Sequence, residues 1–212
     1  MEPWMLIVVT IILIVLFFGG NLLLKRVYSK KILAAMTSED FDGFFKILDS
    51  FGCKYALRPF DREMMRLSAY IASGRSKAVD EQMQIMLNMR VNKKNKLTIA
   101  MRAFYYYVEK KNRHKAYDMI KVVEENGSPD AAKEMRMVAS VLLRKEAKYI
   151  KEMKAYYDNA QSDDQRGMFA YMLGLQYSYI DDDKNAMKYL KEAKRDLKDT
   201  PYEEVIDDLL EK

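Results

Sequence analysis

The sequence predicts an all-α protein. An N-terminal transmembrane helix leads into an α-solenoid of antiparallel helix hairpins, and a C-terminal capping helix closes it. Three observations carry this. Met5–Leu24 contains no charged residue, and fifteen of its twenty residues are Leu, Ile, Val or Phe. The remaining chain has little punctuation, with 8 Gly and 4 Pro in 212 residues, and is rich in the helix formers Lys, Glu, Met, Leu and Ala. Polar breaks then separate pairs of amphipathic stretches at intervals of about 33–38 residues, the signature of stacked helical repeats. Three parts follow: residues 1–24 as tail and transmembrane helix, 25–59 as a basic juxtamembrane segment and degenerate first hairpin, and 60–212 as a repeat domain of about four hairpins plus the capping helix.

At 1.5 Å per residue, Met5–Leu24 makes roughly 30 Å of helix, the thickness of the bilayer's hydrocarbon core. A cleaved signal peptide fits less well. The N-terminus Met-Glu-Pro-Trp has no basic residue, and no A-x-A site follows the apolar run. Trp4 suits the headgroup region at one end, and Lys25, Arg26, Lys30 and Lys31 flank the other. The positive-inside rule then puts the N-terminus outside and everything from Lys25 onward in the cytoplasm, with anionic lipid reinforcing the basic flank. A bacterial plasma membrane is the expected setting.

Charge is uneven along the chain. Lys25–Gly127 holds 21 Lys/Arg against 12 Asp/Glu, whereas the chain from Ser128 onward holds 15 against 18. One cysteine, Cys53, cannot form an intrachain disulfide.

Helix resumes through Val27–Met36. Ser38 reads as an N-cap for a helix carrying Phe41, Phe44, Phe45 and Leu48, ended by Gly52. After the loop at Arg58–Asp61, Met64, Met65, Leu67, Tyr70 and Ile71 form an apolar face, and Gly74 breaks to a second helix with Ala78, Met83, Met86 and Leu87. Beyond the polar Asn92–Asn95, Leu97–Lys111 and His114–Glu125 pair as a hairpin. Gly127–Ser128–Pro129 is strong punctuation. Pro129–Arg144 and Ala147–Asn159 pair next, across a short turn near Lys145–Glu146. Gly167–Pro201 reads as two helices about a polar turn, and Tyr202–Leu210 is the cap, with its four acids outward.

Gly167–Pro201 is the most informative stretch. Gly174 and Ala186 are small enough for two helices to approach closely, with Tyr177 and Leu190 beside them and Pro201 after the second helix. This pattern resembles the tetratricopeptide repeat, whose period is about 34 residues. The hairpin of Leu97–Lys111 and His114–Glu125 aligns with it without a gap: Tyr107 takes the place of Tyr177, Ala116 of Ala186, Ile120 of Leu190, and Phe104 of Gly174. In that family the first helix of each pair lines a concave groove. The resemblance therefore implies groove positions at Met101, Arg102, Tyr105, Val108, Tyr171, Leu175, Ser178 and Tyr179. The family's carboxylate clamp needs Lys and Asn at set positions. Thr98, Met101, Tyr105, Met168, Tyr171 and Leu175 stand there instead, so chaperone-tail binding is not implied.

Catalytic chemistry finds little material. His114 is the sole histidine, so no His pair can hold zinc, and a lone cysteine makes no CxxC site. Asp181–Asp183 lacks the EF-hand spacing and reads as an inter-helix turn. No P-loop, GxGxxG or GxSxG occurs. The basic clusters Arg90–Lys96 and Lys110–Lys115 suit acidic headgroups at least as well as nucleic acid, so no nucleic-acid partner is expected. The expected role is a non-catalytic, single-pass membrane scaffold without a cofactor that docks a protein or peptide through its groove. The alternative is an accessory subunit of a membrane complex whose transmembrane helix makes the main contact.

Overall fold

A computed structural model describes residue 20 and residues 22–211. Trp4 and most of Met5–Leu24 lie outside the described residues. Among the described residues no helix is long and apolar enough to cross a membrane. The structure is all-α, with consecutive helices packed as neighbours, an arrangement compatible with a helical repeat fold. The helices are α1 (22–37), α2 (Phe41–Asp49), α3 (Phe51–Ala56), α4 (Pro59–Ala72), α5 (Ser76–Leu87) and α6 (Lys93–Glu109). They continue as α7 (Arg113–Glu125), α8 (Pro129–Arg144), α9 (Ile150–Asp158), α10 (Asp163–Ser178), α11 (Asp183–Asp196) and α12 (Tyr202–Leu210). The chain divides between Asn95 and Lys96 into two compact units.

In the first unit, α1 joins the core through Tyr28, Ile32, Ala35 and Met36, which share one helical face. Phe44 and Leu48 of α2, Cys53 of α3, Leu57 and Ala69 complete that core. α2 packs on α3 and α4, and α4 pairs with α5. Arg66 fastens α4 to α2 through Asp49 at 2.6 Å and also reaches Glu63 at 3.2 Å. Gln82 of α5, only 2% exposed, donates to the Glu63 carboxylate at 2.8 Å, so its burial is satisfied.

In the second unit, α7 packs on α8, α10 on α8, α9 and α11, and α11 on α12. The α10–α11 approach depends on missing side chains. A Cβ at Gly174 would stand 2.7 Å from Leu190 Cγ, and one at Gly167 would stand 2.7 Å from Leu197 Cγ. Ala186, Leu190, Ala193 and Leu197 are buried along the facing stripe of α11 and beyond it. At the same place Asp196, its side chain 3% exposed, accepts from Arg166 Nε and Arg195 Nε, each at 2.7 Å. Burial pushes the Asp196 carboxyl up, but the two guanidiniums more than offset it, and its pKa lies below the ordinary range. Tyr157, Tyr177 and Tyr189 pack ring on ring beside this seam, at 5.6 Å for each contact with Tyr189.

The hairpin turns share one construction. Five of them return an amide to a carbonyl five residues back: Asp40 to Ala35, Arg75 to Tyr70, Asn112 to Tyr107, Ser128 to Val123 and Asp182 to Tyr177. This closure is of the Schellman type and puts the intervening residue in the left-handed region. Those residues are Glu39, Gly74, Lys111, Gly127 and Asp181, and Lys145 ends α8 in the same region. At the turns from α1 to α2, α4 to α5, α6 to α7, α8 to α9 and α10 to α11, the left-handed residues 39, 74, 111, 145 and 181 stand 35, 37, 34 and 36 residues apart. Gly127 and Asp199 are left-handed at the turns from α7 to α8 and after α11. The gapless alignment of residues 97–125 on 167–195 extends to the turn's capping bonds. Asn112 and Asp182 each cap the next helix, accepting from Lys115 N and Asn185 N, both at 3.1 Å. Phe104 is wholly buried, so α6 places a ring where α10 has no side chain.

Several boundaries differ from the sequence reading. The N-cap of α2 is Asp40, which accepts from Gly43 N at 2.9 Å, while the Ser38 hydroxyl donates back to the Ala34 carbonyl. Gly52 does not end α2, because Ser50 stops that helix and caps α3 through Cys53 N. α9 begins at Ile150 rather than Ala147. Glu146 is held by Ser140, Arg144 and Lys148, and Tyr149 N donates to the buried amide oxygen of Gln176 at 2.9 Å. α10 starts earlier, at Asp163, behind the N-cap Ser162.

Gly174→Ala should lower the stability of the full chain by about 1–3 kcal/mol, the cost of overpacking a close helix seam, read by chemical denaturation followed by circular dichroism. Asn112→Ala should cost about 1 kcal/mol through the lost cap. Asp196 has a depressed folded pKa, so its contribution is present above the ordinary aspartate pKa and is lost as pH falls through the folded value. An acid titration of stability should therefore lose part of its low-pH slope in Asp196→Asn, and an unchanged slope would refute the assignment.

Candidate docking site

The groove positions fall into two classes. Val108, Tyr171 and Leu175 are buried at 5%, 8% and 8% exposure and serve packing. Met101, Tyr105 and Ser178 are exposed, and Arg102 and Tyr179 are half-buried. Tyr179 ties α10 to α8 by donating its hydroxyl to the Val141 carbonyl at 3.2 Å.

Four tyrosines of the second unit nevertheless come together. Tyr171 of α10 lies against Tyr202 at the start of α12, ring centroids 5.7 Å apart. Burial, then Tyr179 and Tyr202, push the Tyr171 phenol up to about 12. Tyr105 of α6 is raised by desolvation, then by Glu134 of α8 and by Tyr202. Tyr202 is raised by burial and then by Glu109 of α6. α6, α8, α10 and α12 thus contribute to one face, with Glu109 and Glu134 on it. Tyr105 is 54% exposed and still desolvated by surrounding protein.

Tyr202 is the member that sequence reasoning missed. Read as part of a cap with outward acids, it was not placed in the groove. The available signal was an aromatic residue set directly after Pro201, where a chain reversal can bring it back over the preceding helices.

The other sequence candidates have ordinary roles. His114 is exposed and pairs with Asp118 one turn on, Nδ1 to Oδ2 at 3.1 Å. Asp181 is the left-handed corner and Asp182 the cap of the α10–α11 turn. Cys53 is wholly buried, and desolvation raises its thiol pKa, so it is unsuited to reporting membrane sidedness. Lys25, Arg26, Lys30 and Lys31 are all exposed on α1, Lys31 lying 5.7 Å from the centroid of the Tyr28 ring. No protein-family model, no characterised protein and no solved structure matches the chain.

Tyr157 is also pushed up to about 12, first by its hydrogen bond to Glu192 and then by burial. A free tyrosine titrates near 10. The neutral phenols of Tyr157 and Tyr171 contribute stability that is complete below about pH 10 and is lost as pH rises from there through about 12. Phenolate absorbance should show a late-titrating class in the native protein, and Tyr171→Phe and Tyr157→Phe should each remove one member of it. A titration with all tyrosines ionising near 10 would contradict the packing.

Proposed function

We propose that this protein is a membrane-anchored, non-catalytic scaffold of tetratricopeptide-like helix hairpins that docks a protein partner through its tyrosine-lined face. The observation that carries this is the convergence of Tyr105, Tyr171, Tyr179 and Tyr202 from three helices, with Tyr105 and Met101 left open. Aromatic and Met side chains are those enriched at protein contacts. The recurrence of the left-handed turn at 34 to 37 residues supports the repeat reading. Glu109 and Glu134 on the same face favour a partner segment that is basic as well as apolar. The apolar, charge-free Met5–Leu24 and the basic residues after it support an anchor with the helical units on the cytoplasmic side, in a bacterial plasma membrane.

Burial of Val108, Tyr171 and Leu175 narrows the accessible groove and favours one second reading, an accessory subunit held chiefly through its transmembrane helix. Replacing Met5–Leu24 by an unrelated anchor separates the two. The scaffold keeps its partner, and the subunit loses it.

The test is crosslinking in intact membranes followed by capture of the full chain. Tyr105→Ala should cost about 2 kcal/mol of binding, or some thirtyfold, as a central aromatic anchor does. Met187→Ala, on exposed surface of α11, should leave binding unchanged. Retained crosslinks in Tyr105→Ala would refute docking on this face. Sidedness is read separately by an impermeant thiol reagent on Lys121→Cys in a Cys53→Ala background, since Lys121 is exposed. Labelling of intact cells would reverse the proposed topology.

A further inference from the structure

The first unit presents an apolar surface that its own core does not use. α1 joins that core only from Tyr28 onward, and residues 22–27 are exposed, with Leu22 and Leu23 each at 65%. α3 sits at this same end. Gly52 lies so close to the Tyr28 phenol that a Cβ there would collide with it. Helical side chains lean toward the N-terminus, so this contact places α3 level with Tyr28 or beyond it toward Leu24. The uncharged Met5–Leu24 ends four residues before Tyr28, about 6 Å along the helix.

The inward face of α3 carries Cys53, with Leu57 following it, both buried. Its outward face carries Phe51 at 86% exposure and Tyr55 at 53%, one helical turn apart, with the exposed Lys54 between them. Ser50 caps this helix, and it is anchored from beneath by Tyr28, so Phe51 is held outward by the backbone. A phenylalanine, a tyrosine and a lysine on one small face are the residues of a membrane interface: an apolar ring, an amphipathic ring and a cation for the phosphate level.

We propose that α3 is seated in the headgroup layer of an anionic bilayer. Phe51 and Tyr55 enter the interface, while Lys54, Lys25 and Arg26 face lipid phosphate. This rests on the anchor reading of Met5–Leu24. It adds that the first unit is fixed in tilt against the membrane by a second contact point and is not free to swivel on α1. A single helix crossing leaves rotation and tilt open, and a lateral aromatic contact removes both.

The test uses single-tryptophan versions of the full chain in vesicles of brominated phosphatidylcholine and phosphatidylglycerol. Trp4 is the sole native tryptophan, so the wild-type chain reports the anchor, and Phe51→Trp in a Trp4→Phe background reports α3. The expected result is blue-shifted emission from position 51, quenched by lipid bromine to an extent comparable with Trp4. Quenching at Trp4 with water-like, unquenched emission at position 51 overturns the seating of α3 and leaves the anchor intact. Blue-shifted but unquenched emission at position 51 also overturns it, because a second copy or another protein would then cover the site. No quenching at either position overturns the anchor reading and this inference together.

Discussion

Helix pairs in this chain fold back through one backbone device. An amide reaches a carbonyl five residues earlier, and the residue before that amide turns left-handed. The hydrogen bond satisfies carbonyls that a helix end would otherwise leave bare, and it reverses the chain within a few residues. Everything larger depends on this reversal. Only when α10 returns directly as α11 do Gly174 and Leu190 meet, and only then can Asp196 reach Arg166. The turns supply the spacing, and the side chains supply the fit.

Much of this was legible in the sequence. Polar punctuation marked the turns, and the alignment of residues 97–125 with 167–195 reproduces capping and burial residue for residue at Asn112 and Asp182, Ala116 and Ala186, and Ile120 and Leu190. What escaped was set by contacts distant in sequence. α3 was hidden because Phe51 and Gly52 look like the end of α2, whereas Ser50 caps a new helix there and Tyr28 packs against Gly52. The late start of α9 follows from Gln176, which lies on another helix. Positions inferred from the repeat pattern carry no information on accessibility: Val108, Tyr171 and Leu175 are buried, and Met101, Tyr105 and Ser178 are exposed. Tyr171 is covered by Tyr202 from a helix whose path periodicity alone does not fix.

The tyrosines have two duties here. Tyr157, Tyr177 and Tyr189 bind helices together, and their hydroxyls or rings are consumed by neighbours. Tyr105 stays exposed, and its phenol is raised by desolvation, then by Glu134 and Tyr202.

The corners of the hairpins also set where the molecule can yield. Glu39, Lys111, Lys145 and Asp181 take up left-handed backbone with a Cβ present, whereas Gly74 and Gly127 take it up without one and with open space around the missing atom. A Cβ restricts the left-handed well, and glycine widens it. Torsional compliance is therefore graded along the chain. The α4–α5 and α7–α8 corners are the ones whose backbone a glycine leaves least restricted, and the α6–α7 and α10–α11 corners carry a Cβ that narrows theirs.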